Sequence, residues 1–155
     1  MEYKNKSTPP PFTPRFFHMM NHRLSVLLLL AISLLPSVAA DIFYGPGGSH
    51  VARSETSGST TRYYDRSGSY LGKAERNGNN TRYYDKSGSY VGQSTTSGST
   101  TRYYNRSGSY EGQATTSGSN TRYYNRSGSF EGSSTHSSSG TRYYDKNGSY
   151  RGSKR

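Results

Sequence analysis

Arginine and tyrosine recur together at a fixed spacing in this chain. Arg62, Arg82, Arg102, Arg122 and Arg142 each precede a Tyr-Tyr pair, and a further ring follows six residues after each pair, at Tyr70, Tyr90, Tyr110, Phe130 and Tyr150. A phenol is a flat apolar plate with a polar tip, and a guanidinium carries five donors in a rigid fork. Together they suit three tasks. Arg stems can cover the rings as internal cation–π contacts. Rings can stack on sugar faces while Arg or Asn bonds hydroxyls or carboxylates. Aromatic stacking beside a basic track can also hold single-stranded nucleic acid. The residues that a binding role would use are Arg62, Tyr64, Tyr70, Arg82, Tyr84, Tyr90, Arg102, Tyr104, Tyr110, Arg122, Tyr124, Arg142, Tyr144 and Tyr150.

Catalytic chemistry finds no comparable set. Asp65, Asp85 and Asp145 share a slot with Asn105 and Asn125. Asp and Asn exchange freely at the first position of a turn, but acid–base catalysis needs a group that titrates. Glu111 and Glu131 could form a carboxylate pair only in a concave site with unequal environments; the expectation is solvated surface. His50 and His136 stand alone in different units, which does not make a metal site. Gly47-Gly48-Ser49 belongs to a series of turns, and no Gly-x-Ser-x-Gly elbow or Gly-Lys-Ser phosphate loop is present. With no Cys, a disulfide framework, a Cys nucleophile and a Cys-ligated metal are excluded. Glycosylation sequons at Asn79, Asn105, Asn125 and Asn147 are what chance gives in a chain rich in Asn, Ser and Thr. The expectation is a non-enzyme with neither cofactor nor metal.

The elements that must position these residues start after a leader. Residues 1–23 hold four bases and one acid, Leu24–Leu35 is a run of 12 mostly apolar residues, and Val38-Ala39-Ala40 is a small-residue site. That is the layout of a secretory signal, too short for the ~20 residues of a membrane helix. Cleavage between Ala40 and Asp41 is expected, with Met19 or Met20 as alternative starts. What remains, 41–155, has 16 bases and 8 acids, a net charge of +8. The expected location is secreted, periplasmic or cell-surface, with no stable membrane span after cleavage. Only 28% of the 155 residues are hydrophobic, well below the ~45–50% of an ordinary domain, which excludes a conventional two-layer core. A disordered Gly/Ser chain is the competing expectation, but 15 of the 16 Tyr lie in 41–155, nearly all in fixed phase.

Residues 41–155 repeat every 20 residues, in units 41–60, 61–80, 81–100, 101–120, 121–140 and 141–155, without insertion. Gly falls every ten residues from 48 to 148, with Ser138 the one exception. Asp65-Arg66-Ser67-Gly68-Ser69 suits a type I turn closed by a Gly with positive φ. Thr95-Thr96-Ser97-Gly98-Ser99 has the same spacing. A turn every ten residues, with Tyr- and Thr-rich segments between, predicts an all-β antiparallel meander of about 12 short strands. A flat sheet, a spiral and a closed barrel all fit. If every loop has three residues, Tyr64 pairs with Tyr70 and Tyr63 with Leu71, then Tyr70 with Tyr84 and Leu71 with Tyr83. Parity is then preserved, and one even-numbered face carries an unbroken aromatic row beside a row alternating Arg62, Gly72, Arg82 and Gly92. That face is expected on the inner side of any curl. Arg66, Lys86, Arg106, Arg126 and Lys146 would line one edge.

The string T-R-Y-Y-[DN]-x-x-G-x-[YF] resembles the YD repeat of Rhs-type bacterial secreted proteins, over 61–155 well and 41–60 loosely. That resemblance implies β-hairpins that wind into a shell. The units are also similar to the wall-binding repeats of choline- and glucan-binding proteins, through Tyr83-Tyr84-Asp85 and Gly88, but those repeats hold their ligand with Trp and this chain has none. Two functional expectations follow. One is an exported module that binds an envelope or extracellular polysaccharide through Tyr/Arg faces. The other is a structural protein that self-associates edge to edge into a matrix. Export weighs against nucleic acid.

Overall fold

The computed structural model describes residues 39–155, so the expected signal helix of the leader lies outside the described residues, whereas Ala40 and Asp41, on either side of the expected cleavage, lie within them. All described elements are strands: β1 (Ala39–Tyr44), β2 (His50–Ser57), β3 (Thr60–Asp65), β4 (Tyr70–Asn77), β5 (Asn80–Asp85) and β6 (Tyr90–Ser97) are followed by β7 (Thr100–Asn105), β8 (Tyr110–Ser117), β9 (Asn120–Asn125), β10 (Phe130–Ser137), β11 (Gly140–Asp145) and β12 (Tyr150–Lys154). Each pairs antiparallel with the next, and β1 pairs with β12, so the meander closes into a barrel of 12 strands. The expected strand count and topology are those observed. Of the three shapes the repeats allowed, the chain adopts the closed one.

Two kinds of loop alternate. After β3, Gly68 N–H donates to Asp65 C=O and Asp65 N–H to Ser69 C=O, both at 3.0 Å, with Gly68 at φ 86°. This is the three-residue loop read from the sequence. Asp65 Oδ1 accepts the N–H groups of Ser67 (2.8 Å) and Ser69 (2.9 Å), which fixes the turn from within. Asn105 and Asn125 do the same through their side-chain oxygens, which is why Asp and Asn share the slot. The other loops have two residues, as Asn77↔Asn80 and Ser97↔Thr100 show. This corrects the expectation of three throughout. Thr95 stands where Asp65 stands but has no carboxylate to span a turn, so the chain folds tightly about Gly98, at φ 56°.

A second correction concerns register. Tyr64 pairs with Tyr70 as expected, but Tyr63 pairs with Gly72 and not Leu71. Leu71 is the extra residue of a β-bulge, and Val51, Val91, Glu111, Glu131 and Arg151 are bulged in the same way. Across the next loop Lys73 faces Tyr84 and Ala74 faces Tyr83, so neither Tyr70–Tyr84 nor Leu71–Tyr83 is a pair. Parity is broken once per hairpin. The expected faces are therefore exchanged: Tyr63, Tyr83, Tyr103, Tyr123 and Tyr143 are buried inside with Phe43, while Tyr64 and its even-numbered counterparts point out. The Gly72 series lies at the bulges and not in a row with Arg. Gly112 has φ 153°, and a Cβ there would overlap the carbonyl oxygen of Tyr124. Gly112→Ala should cost upward of about 2 kcal/mol, against about 1 kcal/mol for Gly108→Ala, whose φ is 81° but whose Cβ would meet open space. Urea unfolding of the two variants compares these costs.

The interior explains why tyrosine is the building residue. Eight strands make a barrel that ordinary side chains fill; 12 enclose a wider bore, and longer side chains must reach its axis. Each inner Tyr faces a small residue across one strand pair: Tyr63 Ser54, Tyr83 Ala74, Tyr103 Ser94, Tyr123 Ala114 and Tyr143 Ser134. Large and small thus alternate around the bore. The Tyr83 and Tyr123 hydroxyls hydrogen-bond Ser94 and Ser134 Oγ, each at 2.8 Å, and no buried side-chain polar atom among the described residues lacks a partner. Val51, Leu71 and Val91 pack on this core from the bulges. The next three bulges carry charge. Glu111 is buried and accepts Asn105 Nδ2 at 2.8 Å; Glu131 accepts Asn125 Nδ2 at 2.7 Å; Arg151 donates to Asp145 Oδ2 at 2.6 Å. The expectation that Glu111 and Glu131 are solvated surface is thus corrected: each is paired to the turn residue of its own hairpin.

Burial penalises the phenolate and pushes Tyr83 and Tyr123 up to about 12, with the serine hydrogen bonds acting in the opposite sense. It pushes Tyr63, Tyr103 and Tyr143 up as well, and neighbouring phenols add to the shift. A raised phenol pKa means that the folded state favours the neutral form. This stability is fully present below the ordinary value of 10 and is lost as pH rises toward about 12. The five inner phenols should therefore ionise in a late alkaline step that coincides with loss of the β-sheet signal. Phenolate absorbance and circular dichroism, followed together, check it.

Candidate binding face

The outward side of the barrel carries the residues that the sequence singled out. Each three-residue hairpin places two rings side by side: Tyr64–Tyr70, Tyr84–Tyr90, Tyr104–Tyr110, Tyr124–Phe130 and Tyr144–Tyr150. Their centroids are 5.9–6.1 Å apart with interplanar angles of 62–68°. Edge-to-face contact at this distance contributes about 0.5–1.5 kcal/mol beyond area burial. Tyr44 and His50 are register partners in the first unit. Tyr70, Phe130 and Tyr150 remain 36%, 40% and 38% exposed, so the belt holds itself together yet shows ring surface to solvent. Arg62, Arg82, Arg102, Arg122 and Arg142 are exposed one outward position further along the strands. All 14 sequence-nominated residues are therefore on one continuous outer belt, but not in the unbroken cross-strand row expected. Arg66, Lys86, Arg106, Arg126 and Lys146 are exposed in the loops at the ring end of the barrel.

The bulge brings in residues that sequence reasoning missed. Arg53 lies over the Tyr64 ring at 4.4 Å and Lys73 over Tyr84 at 5.0 Å, both at the position facing the ring across the two-residue hairpin. Arg53 also pairs with Glu55, and Lys73 with Glu75 at 2.5 Å. The Lys73–Glu75 hydrogen bond raises the lysine pKa and lowers the glutamate's. In later units the same position holds Gln93 against Tyr104, Gln113 against Tyr124 and Ser133 against Tyr144. The signal was available: Gly72, Gly92, Gly112, Gly132 and Gly152 recur two residues after the last ring of each hairpin. Read as bulge glycines, they shift the next residue outward. Phe130, absent from the nominated set, completes the fourth ring pair.

The first and last strands meet at a seam. Phe43↔Lys154 and Tyr44↔Ser153 pair, and Ile42 and Arg155 exchange backbone hydrogen bonds at 2.7 and 2.9 Å. Lys154 bonds Asp41 at 3.3 Å, and Arg155 lies over Tyr44 at 5.5 Å. Lys154 and Arg155 are thus partners in closure, while Arg151 pairs with Asp145 inside the last hairpin. Beside the seam a groove of about 410 Å³ is lined by residues including Arg142, Tyr144, Tyr150, Ser153 and Arg155.

The belt can stack flat ligand surfaces and donate hydrogen bonds to oxygen acceptors. The Asp and Glu side chains with short contacts are committed to turns, bulges, surface ion pairs or the seam. No group of three or more His, Cys, Asp or Glu among the described residues could hold a metal ion. No protein-family model and no curated protein sequence matches this chain.

Proposed function

We propose that this chain is an exported, non-enzymatic repeat barrel that binds an envelope or extracellular polysaccharide through its outward Tyr/Arg belt. The observation that supports this most is the preformed belt: five ring pairs already locked edge to face, with exposed Arg beside them. Preorganised rings lose little entropy on binding, and repetition adds avidity along a polymer. The leader's layout supports export. Strands of five to eight residues with outward Arg differ from the ~9–11 residues and apolar band of a membrane barrel, so the belt faces water.

Self-assembly edge to edge is the competing reading, and it needs free strands. The β1–β12 pairing occupies both edges, so such assembly would require the seam to open. Gel electrophoresis through soluble polysaccharides, with co-sedimentation on insoluble ones, tests the binding reading. Retardation should be strong at low salt, and Y70A/Y110A/Y150A should weaken it by on the order of tenfold. Migration unaffected by every polymer at low salt removes the proposal.

A further inference from the structure

The belt has two unlike halves, and the register makes them so. In the first half Glu55 faces Arg62 and Glu75 faces Arg82 across the two-residue hairpins. The same glutamates pair with Arg53 and Lys73, the cations over Tyr64 and Tyr84. That half answers its own charges and covers its own rings. In the second half the facing residues are Thr95, Thr115 and Thr135, opposite Arg102, Arg122 and Arg142. All five outward guanidiniums are exposed and make no direct ion pair among the described residues, but only these three face a neutral residue where Arg62 and Arg82 face a carboxylate. The groove of about 410 Å³ opens on this half too, with Arg142 and Arg155 beside the Tyr144–Tyr150 pair and the small Ser153.

We infer, resting on the polysaccharide reading above, that the partner is an acidic polysaccharide and that it docks on the β7–β12 half. Charge complementarity commits the choice. A neutral glycan gains from these guanidiniums only ordinary hydrogen bonds to its hydroxyls, whereas a polymer of carboxylates gains charge-assisted, forked ones with no neighbouring acid to compete. Successive outward Arg lie two strands apart, about 10 Å at the usual strand spacing. That step is comparable with a disaccharide, so a uronate chain running around the barrel could present the carboxylate of every second sugar to Arg102, Arg122 and Arg142 in turn while its sugar faces reach the rings between them.

The test uses one polymer in two charge states, polygalacturonate and its methyl ester, with the intact protein. Polygalacturonate should bind more tightly, and salt should weaken it. T95E/T115E/T135E gives the open half the acids of the other half and should weaken binding by on the order of tenfold. T95Q/T115Q/T135Q adds bulk without charge and should recover most of that loss. E55Q/E75Q removes the carboxylates facing Arg62 and Arg82 and should strengthen binding a few-fold. Equal binding of acid and ester, indifferent to these variants, overturns the acidic partner but leaves the polysaccharide reading standing. Failure of both polymers overturns the acidic partner, and the polysaccharide reading falls with it when every neutral polymer fails as well. Tighter binding of a single-stranded oligonucleotide, with the same response to the variants, overturns the inference in favour of nucleic acid.

Discussion

Tyr103→Ala is expected to destabilise the barrel by about 3–5 kcal/mol, as for other buried aromatic truncations, and Tyr104→Ala by only about 1 kcal/mol. The two residues are adjacent, have the same side chain and belong to the same repeat. Adjacent residues of a strand point to opposite faces, and in β7 Tyr103 takes the bore and Tyr104 the outside. Tyr103 is 7% exposed and sits among Tyr83, Tyr123 and Tyr143, with Ser94 and Gly112 as its cross-strand partners. Those partners are too small to collapse into the space a lost ring would leave. Tyr104 gives up one edge contact, at 6.1 Å to Tyr110. A domain of this size has about 5–15 kcal/mol of stability in total, so Tyr103→Ala should remove a large share of it. Urea midpoints of the two variants make the comparison. Equal losses would mean that the faces are not partitioned as described.

Removing residues 150–155 should have the largest effect of all. It deletes β12 and leaves the edges of β1 and β11 unpaired. It also strips Asp41 of Lys154 and Asp145 of Arg151, and uncovers Phe43, which is wholly buried in the closed barrel. Exposed edges pair with other chains. The truncated protein should lose its dispersed amide spectrum or form concentration-dependent oligomers, measurable by sedimentation. An 11-stranded monomer of undiminished stability would show that closure does not hold the fold together. The same reasoning explains why a chain so poor in aliphatic residues needs a barrel. Among the described residues no second layer covers an open sheet, so the sheet covers itself.

Much of this architecture was legible in the residues. The ten-residue Gly period gave the turns, and Tyr and Thr between them gave the strands. The Asp-x-Ser-Gly-Ser loops folded as their chemistry demands, because a side-chain oxygen at the first position can accept two backbone N–H groups. The remainder was lost at two points. Loops headed by Thr or Glu share the spacing of the Asp loops but not the acceptor, and they shorten to two residues. The bulge is marked by no residue type of its own, since Val, Leu, Glu and Arg all occupy it. Its trace is the glycine that follows, and the small residues at 54, 74, 94, 114 and 134 that leave room for inner rings. A slip of one residue exchanges the faces of a strand. The residues nominated for binding therefore face outward, although the argument that nominated them would have turned them inward. The coupling of Asn105 to Glu111, and of Asn125 to Glu131, was equally hidden, because it depends on the bulge turning both side chains together.

Amide proton–nitrogen spectra of the protein, recorded while a short oligogalacturonate is titrated in, test the central claim most directly. The account predicts a dispersed spectrum in which shifts concentrate on the outward residues of β7–β12, around Arg102, Tyr110, Arg122, Arg142 and Tyr150, and spare the inner strand positions around Tyr63 and Tyr83. A spectrum unmoved by the oligosaccharide, or shifts confined to residues inside the barrel, would contradict it.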